Sequence, residues 1–377
     1  MRPSSSRWSE MPFVHEVNDI DALANYRADW ERLLAETPRA SFFQTLDWLL
    51  VYWRHFGQEQ ILRALVIEDR GEVLAFVPFV ECVEATRAGR VRLLTYPLHD
   101  WGAFYSPIAR DQAAALEAAT RHLRAMRRTW DLIDLRWIDR THVDGGATLA
   151  AMRGAGFTAD ERPWQQAATI DTSSSWGDYW RSRDARMRGN VGRCQRRLTE
   201  RGEVRLVRHR TSPADGRIDP RWDLYDTCER LARSSWQGSS TTGTTLSHDA
   251  IRHFLRDAHA AAARSGGVDM NLLYVGDHPA AFAYNYVHNG HVSGLRTGFV
   301  AEYDGAGSVL LAKAIEDSFA RGDRLYDLGT GYLEGKRHLL TELVTTHRVS
   351  HYPVLSAKAR LLRWKRQIAG WWNDRRA

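Results

Sequence analysis

A glycine-containing loop at residues 303–308 is the segment of this 377-residue chain best suited to hold a phosphate group. Glycine allows a sharp turn that exposes backbone N–H groups, and the first-turn amides of a helix have no partner inside that helix. A loop of this kind leading into a helix therefore attracts anions, although a plain connecting loop is the alternative. The residues predicted to bind a phosphate-bearing donor are Tyr303, Gly305, Ala306, Gly307 and Ser308.

Side chains that can move protons are predicted on neighbouring segments. Asp327 ends a predicted strand, and its carboxylate could take a proton from an attacking amine or position the acceptor. Tyr284 could protonate a leaving thiolate, or could simply belong to the core. Lys336 could bind a phosphate of the donor or the acceptor, or could be a solvated lysine. These residue types suit the transfer of an acyl group to an amine.

Such a reaction develops an oxyanion that needs fixed hydrogen-bond donors. We expect these donors to be backbone N–H groups of the predicted strand at residues 280–287. Strand alternation places Tyr284 and Tyr286 on one face of that strand and Asn285 on the other. Asn285 is predicted to contact the donor.

The net charge of +6 is unevenly distributed along the chain. Residues 181–210 contain eleven arginines and three acidic residues, and residues 358–377 contain seven Lys or Arg and one acidic residue. Local basicity of this kind indicates two anion-facing surfaces more than a general nucleic-acid binder. On the first of them, a predicted helix at residues 176–201, Arg186, Arg193 and Arg197 are predicted to bind phosphate groups; a solvated helix face is the alternative.

The second basic surface is a predicted C-terminal helix with an apolar side. The spacing of its large apolar residues favours either an interfacial helix on a membrane or a helix docked on the protein's own core. The residues predicted along that side are Leu361, Trp364, Ile368, Trp371 and Trp372.

Other classes of protein are not favoured by the sequence. The three cysteines, Cys82, Cys194 and Cys228, lie far apart, and no spacing typical of a metal site is present, so we expect no metal. The polar start of the chain lacks the apolar core of a signal peptide, and the longest apolar run, residues 73–80, is too short to span a bilayer. A cytoplasmic protein is therefore expected, either free or peripheral to the inner face of a membrane.

The order of predicted elements occurs twice along the chain. A hairpin at residues 62–76, a helix at 111–128 and a strand at 132–135 form the first copy. A hairpin at 272–282, a helix at 307–321 and a strand at 325–328 form the second. Repetition over such a long period predicts a duplicated domain. Only the second copy has the glycine-containing loop, so we expect donor binding in the C-terminal half.

Over residues 40–350 the sequence resembles the tandem GNAT-fold proteins of the FemAB-like group, which includes CelD-like proteins associated with cellulose biosynthesis. The resemblance rests on the order of several short segments, and two features depart from the family pattern. Gln237 stands where a lysine is frequent, and Lys336 lacks the usual aromatic residue before it. The matching segments are 42–48, 77–79, 186–198, 235–238 and 327–331, followed by Lys336.

The resemblance implies an α/β (α+β) fold of two GNAT-like modules, each a mixed, mostly antiparallel sheet flanked by helices. We expect a degenerate acceptor-side module at residues 1–170, a donor-binding module at 171–355 and a basic amphipathic helix at 356–377. The resemblance suggests Asp100 as an acceptor-side carboxylate in the first module. Trp236 and Arg296 are the remaining predicted substrate contacts.

The family implies transfer of an acyl or aminoacyl group to an amine. The main hypothesis is an N-acyltransferase that uses acyl-CoA, such as acetyl-CoA, and acts on a small-molecule or lipid-linked amine, for example an amino sugar or a polysaccharide precursor. One alternative is a FemAB-like enzyme that uses an aminoacyl-tRNA, in which case the basic helix would contact the RNA. The other is a non-catalytic scaffold in polysaccharide or envelope assembly.

Overall fold

One mixed sheet runs through the whole protein. The computed structural model describes residues 8, 12–86, 89–212, 216, 218–240, 243–354 and 356–374. Its strands are β1 (Phe13–Val17), β2 (Ile61–Asp69), β3 (Glu72–Thr86), β4 (Gly89–Thr95), β5 (Ile108–Ala109), β6 (Leu132–Ile138), β7 (Ala159–Asp171), β8 (Val204–Arg210), β9 (Val268–Val275), β10 (His278–His288), β11 (His291–Phe299), β12 (Leu325–Asp327) and β13 (Glu342–His351).

The helices lie between these strands in two similar sets. They are α1 (Ile20–Ala24), α2 (Arg27–Glu36), α3 (Leu46–Phe56), α4 (Gln112–Ala125), α5 (Ala147–Gly154), α6 (Trp176–Ser182), α7 (Ala185–Thr199), α8 (Trp222–Ser234), α9 (Asp249–Ser265), α10 (Ala306–Ala320), α11 (Leu333–Lys336) and α12 (Ala357–Asp374). The hairpins β2–β3 and β9–β10 correspond to each other, as do α4 and α10, and β6 and β12. The predicted duplication is confirmed.

The predicted character of the sheet is also confirmed. Its order is β1-β2-β3-β4-β6-β13-β7-β12-β11-β10-β9-β8, with β5 paired to β3. The pairs β4–β6 and β11–β12 are parallel, and the other pairs in this part of the chain are antiparallel. The two parallel pairs occupy equivalent places in the two halves.

The two halves exchange strands at the centre of the sheet. Strand β7 pairs with β12 and with β13, while β13, the last strand of the chain, also pairs with β6. The first half therefore contributes a strand to the second, and the second returns one to the first. The ladder between β7 and β13 is long, since it runs from Ala159 opposite His351 to Thr169 opposite Glu342. The predicted boundary at residues 170/171 falls at the end of β7.

An aromatic cluster joins the halves on one face of the sheet. Helix α3 packs on α9, where the rings of Trp48 and Phe254 lie 5.3 Å apart. The ring of Phe42, just before α3, stacks on that of Tyr286 in β10 at 4.3 Å. Thr45 fixes the start of α3, because its side chain accepts a hydrogen bond from the Trp48 N–H. Burial of large rings between the halves fixes the position of the second half against the first.

Two aspects of the predicted local structure differ from the structure. The predicted helix at 176–201 is two helices, because the chain is extended at Arg183 and Asp184 caps α7 by accepting from the Met187 N–H. Strands β1, β7 and β13 were not predicted. Helix α12 begins at Ala357, close to the predicted start, but the side chains of Ile368, Trp371 and Trp372 lie outside the described part.

Candidate functional site

A gap opens between β11 and β12 in the second half of the sheet. Their parallel pairing ends at Ser293 opposite Asp327, whereas β11 continues to Phe299. The strands separate at Gly294, where a Cβ atom would lie 2.9 Å from the carbonyl oxygen of Asp327, so a larger residue could not be accommodated. Among the described residues, no strand therefore pairs with the last part of β11 on the side that faces the gap.

This edge corrects the predicted source of oxyanion donors. Strand β10 hydrogen-bonds to β9 on one side and to β11 on the other, so its N–H groups are already engaged. A register irregularity between β10 and β11 at Tyr284/Asn285 sets Leu295 out of the regular pairing. The available N–H groups belong to β11 beyond this bulge. Gly294 was the signal in the sequence, because glycine inside a strand often marks a close approach or a bulge.

Asp327 lies where β12 ends and the gap begins. Its side chain is buried, with 4% of the residue exposed, and one carboxylate oxygen accepts a hydrogen bond from the Gly329 N–H at 2.7 Å. Burial raises the pKa of Asp327 to about 6, against smaller opposing effects of that hydrogen bond and of Lys336. A carboxyl group with this pKa can exchange a proton near neutral pH.

Lys336, at the end of α11, lies beside Asp327. Its ammonium group donates to the carbonyl oxygen of Gly329 at 3.2 Å. Burial lowers the pKa of Lys336 to about 8, although the charge of Asp327 acts in the opposite direction. The structure thus brings together two residues singled out in the sequence, and it gives both of them pKa values close to neutrality. Such pairs are typical of functional sites.

The equivalent aspartate of the first half, Asp134, has very different surroundings. It is fully buried on β6 and hydrogen-bonds to the guanidinium groups of Arg136 and Arg348 and to the Ser350 hydroxyl. Arg366 of α12 is also close, at 3.6 Å. Although burial opposes them, these arginines hold the pKa of Asp134 well below its usual range. Asp134 is therefore a charged structural group.

The predicted phosphate loop precedes α10. Gly305 has a φ of +85° and forms the N-cap of α10, which lacks a side-chain cap. A Cβ atom at Gly305 would lie 2.4 Å from the Cys194 sulfur, so glycine allows α7 to approach this turn. Ser308 is exposed, while Tyr303 and Ala306 are buried. The buried side chains of Tyr303 and Ala306 therefore anchor the loop in the hydrophobic core.

The equivalent helix N-terminus in the first half, that of α4, is already occupied by a side chain. Helix α4 is capped by Asp111, whose carboxylate accepts a hydrogen bond from the Ala114 N–H at 3.0 Å. An anionic side chain already occupies the positive end of that helix. A second anion would be repelled there, whereas the N-terminus of α10 keeps its amides available.

Arginines of α7 flank the phosphate loop. Arg197 pairs with Asp304 at 2.9 Å, and Arg201 pairs with Glu302 at 2.8 Å. These pairs neutralise the two acidic residues of the loop. Arg193 lies one turn before Arg197 on the same row of the helix, and no carboxylate of the described residues pairs with it. The candidates Arg186, Arg193 and Arg197 are all exposed.

Arg296 lies on β11 at the contact between the two halves. Its guanidinium donates to the carbonyl oxygens of Thr244 and Leu295 and lies 5.9 Å from the centre of the Trp101 ring. No carboxylate among the described residues forms an ion pair with it. Burial lowers the pKa of Arg296 to about 10. A largely buried arginine without a carboxylate partner is suited to an anionic ligand.

The remaining predicted residues are dispersed. Asp100 is exposed on the loop that carries Trp101. Tyr284 is in the core, with its hydroxyl 2.8 Å from His259 Nδ1, and burial raises its pKa well above the ordinary value. Asn285 is also buried and donates to Asp269 and to the Tyr326 hydroxyl.

Trp236 is 57% exposed on a short 3-10 helix. Its neighbour Gln237 is buried and joins two segments, because it donates to the Thr297 carbonyl oxygen and accepts from the Leu246 N–H, both at 3.0 Å. Gln237, which departs from the family pattern, therefore holds the loop that contains Leu246 against the end of β11.

A pocket at the boundary of the halves was not predicted. It is small and is lined by residues of both halves, including Arg39, Phe104, Asp139, His291 and Leu325. Arg39 pairs with Asp139 at 3.1 Å. His291 is buried, and its Nε2 has no hydrogen-bond partner within the described part of the protein. Residues contributed by distant parts of the chain leave no local signal in the sequence.

Two other features, a metal site and a membrane-spanning helix, are absent from the described residues. No group of three or more His, Cys, Asp or Glu side chains could hold a metal ion. No helix there is long and apolar enough to cross a membrane.

Comparisons with known proteins agree with this geometry. The model of the family described as acetyltransferase (GNAT) domain matches residues 185–337, which contain α7, the phosphate loop, Asp327 and Lys336. No curated protein sequence matches the chain.

Solved structures share the fold over most of the chain. The structure of FemX has a TM-score of 0.60 at 11% identity and covers 86% of this chain and 95% of its own. A conserved protein of unknown function from Bacteroides thetaiotaomicron VPI-5482 has a TM-score of 0.54 at 11% identity, covering 90% and 100%. The C-terminal domain of a putative lysylphosphatidylglycerol synthetase from Agrobacterium fabrum has a TM-score of 0.53 at 12% identity, covering 91% and 95%.

At these identities the structural likeness shows the fold. The family match adds the kind of domain that contains the candidate site, and the strand order shows its duplication. Residues 185–337 therefore match the acetyltransferase (GNAT) domain family, within a chain that has two GNAT-like modules and shares the fold of FemX.

Proposed function

We propose that the protein is an N-acyltransferase that transfers an acyl group from acyl-CoA to an amine. The observation that carries this proposal is the contrast between the two equivalent helix N-termini. Helix α4 is capped by the Asp111 carboxylate, whereas α10 begins at Gly305 without a side-chain cap. Phosphate groups are the natural ligands of an uncapped helix N-terminus of this kind.

The residues around α10 fit the phosphates of coenzyme A. The amides of Gly307 and Ser308 are in the first turn of the helix, and Arg193 is the unpaired cation on the neighbouring row of α7. Acyl-CoA would supply a thioester carbonyl. The gap between β11 and β12 begins beside Asp327, and α10 follows β11 directly, so a donor held at α10 could place its acyl group in the gap.

The groups lining the gap suit the chemistry of acyl transfer. The unpaired N–H groups of β11 stabilise the negative charge that develops on the carbonyl oxygen. Asp327 accepts the proton that the amine loses as the N–C bond forms and the C–S bond breaks. The leaving thiolate takes its proton from solvent, and the ammonium of Lys336 balances the charge of the Asp327 carboxylate.

The acceptor is proposed to carry an anionic group that Arg296 binds. This arginine lacks a carboxylate partner and lies beside Trp101, whose ring could pack on a sugar. Asp100, on the same loop, is the proposed carboxylate for the amine side of the acceptor. An amino sugar phosphate or a related envelope or polysaccharide precursor has this combination of groups.

Calorimetric titration and a thiol-release assay test the proposal. Acetyl-CoA is expected to bind with one site per chain, and addition of amino sugar phosphates should release free coenzyme A. Asp327→Asn should keep the binding but lose most of the release. Absence of binding by coenzyme A and by acetyl-CoA would contradict the proposed donor.

An aminoacyl-tRNA donor is the second candidate. It is supported by the exposed arginines of α7, since Arg186 and Arg193 form a basic surface wider than coenzyme A needs. In this case, transfer in a cell lysate supplemented with the protein would stop after ribonuclease treatment. Transfer that survives the ribonuclease and requires added acyl-CoA would remove this candidate.

A further inference from the structure

Helix α12 has two apolar sides, of which one packs on the sheet. Ala359 and Leu362 are buried in a cluster with residues of β4 and β6. Leu361 and Trp364 are 42% and 58% exposed. With about 100° of rotation per residue, this second pair lies on the opposite side of the helix. The helix is therefore attached to the protein through one side and presents the other to the surroundings.

The docked side is fixed by specific contacts. Arg366 donates to the Tyr352 hydroxyl at 2.6 Å and lies beside Asp134. The ammonium of Lys358 donates to the carbonyl oxygen of Arg90 at 3.2 Å. Because these contacts set the rotation of the helix about its axis, the exposure of Leu361 and Trp364 follows from the packing of the whole domain.

The exposed side combines apolar and basic residues. Arg360 and Arg363 are exposed on the same helix, and the segment 357–366 contains no acidic residue. In the sequence, Ile368 and Trp371 follow Trp364 at spacings of four and seven residues, which continues the row of Leu361 and Trp364. The side chains after Arg366 are outside the described part of the chain.

This combination favours an anionic lipid surface over a second copy of the chain. In a symmetric dimer through this side, the same basic residues would face each other and repel. At an anionic bilayer, the cations contact lipid phosphates while Trp and Leu enter the boundary between headgroups and acyl chains. Indole rings are well suited to that boundary, because they are largely apolar but carry one N–H donor.

We propose that the exposed side of α12 binds the surface of an anionic membrane, with the helix parallel to the bilayer. This inference goes beyond the proposed function and does not depend on it. It provides a physical route by which a protein of this fold can act on a lipid-linked acceptor while remaining outside the bilayer.

Co-sedimentation of the full chain with vesicles tests the proposal. The protein should pellet with phosphatidylcholine vesicles containing about one-third phosphatidylglycerol and stay in solution with phosphatidylcholine alone, and added salt should weaken the binding. The double variant Leu361→Ser and Trp364→Ser should bind about tenfold less, because it loses two apolar contacts.

The matched control is Phe13→Ser with Ile218→Ser, which removes two equally exposed apolar side chains far from α12 in the sequence. It should bind like the unmodified protein, and both variants should keep its circular dichroism spectrum and acetyl-CoA binding. Equal sedimentation of the two double variants, or no binding of the unmodified protein to anionic vesicles, would overturn the proposal. A molecular mass that doubles with concentration, depends on Leu361 and Trp364 and is accompanied by no vesicle binding would replace it with self-association.

Discussion

Asp134 and Asp327 occupy equivalent positions on β6 and β12, yet the protein stabilises opposite protonation states of their carboxyl groups. Three arginines surround Asp134 and lower its pKa. Asp327 has one lysine nearby, and burial raises its pKa to about 6. One aspartate is thus part of the folded framework, while the other lies at the open end of a strand.

The two aspartates should respond with opposite sign to the same substitution. Asp134→Asn is expected to destabilise the protein at pH 8 by roughly 3–5 kcal/mol, because it leaves buried arginines without their partner. Asp327→Asn should stabilise it by roughly 1–3 kcal/mol, because it removes a carboxylate whose burial in the ionised form is unfavourable. Urea unfolding at pH 8 measures both changes.

The sign of the Asp327 effect follows from the raised pKa. Above about pH 6 the carboxyl is ionised in both states, so the full penalty of burial applies. Towards pH 4 it is protonated in the folded protein, and the advantage of Asn should disappear. Asp277→Asn, in an exposed turn, is the control and should change stability by less than about 0.5 kcal/mol. Destabilisation by Asp327→Asn at pH 8 would show that its charge is needed for folding.

The pH dependence of transfer should be bell-shaped. With Asp327 as the base, kcat/KM rises as its carboxyl loses a proton near pH 6, and it falls when Lys336 loses its charge near pH 8. Lys336→Gln should remove the alkaline limb, and Asp327→Asn should lower kcat by roughly 100-fold or more. A profile unchanged in Lys336→Gln would exclude that lysine as the group titrating at high pH.

A negative charge placed at the start of α10 should block the donor. Ser308→Glu adds a carboxylate in the first turn of α10, close to where Asp111 supplies one as the N-cap of α4, and should stabilise the free protein by about 0.3–1 kcal/mol. The same charge should repel phosphate, so the rise in melting temperature caused by acetyl-CoA should be lost. Ala113→Glu adds the same charge at an exposed position in the first turn of α4 and should keep the full rise. Loss of the rise in both variants would place the donor elsewhere.

The sequence predicted the parts of the site that depend on local structure. The loop before α10, the strand end at Asp327 and the alternation of Tyr284 with Asn285 all follow from glycine positions and strand periodicity. The proximity of Lys336 to Asp327 could be expected for the same reason, because only a short segment that includes α11 separates the two residues.

Features that depend on long-range packing were not predicted. Apart from Arg136, the partners of Asp134 come from β13 and α12, more than 200 residues later in the chain, and nothing near Asp134 indicates them. In β7 and β13, apolar and polar residues alternate less clearly along the sequence, because both strands lie in the middle of the sheet. The prediction that β10 supplies the N–H donors for the oxyanion was wrong for a related reason. The strand beside the gap is the one that pairs with β12, and this long-range pairing is not visible in the sequence.

The exchange of β7 and β13 should make the two halves unfold together. Neither half can lose its structure without breaking the ladder between these strands, so urea should give one transition with the same midpoint by tryptophan fluorescence and by circular dichroism. Val349→Ala removes buried side-chain volume from β13 beside Leu135 and should destabilise the protein by about 2 kcal/mol. Hydrogen exchange monitored by mass spectrometry should then show equal loss of protection in the β2–β3 and β9–β10 hairpins, because both depend on the shared ladder. Loss confined to the first hairpin would mean that the halves are independent units despite the exchanged strands.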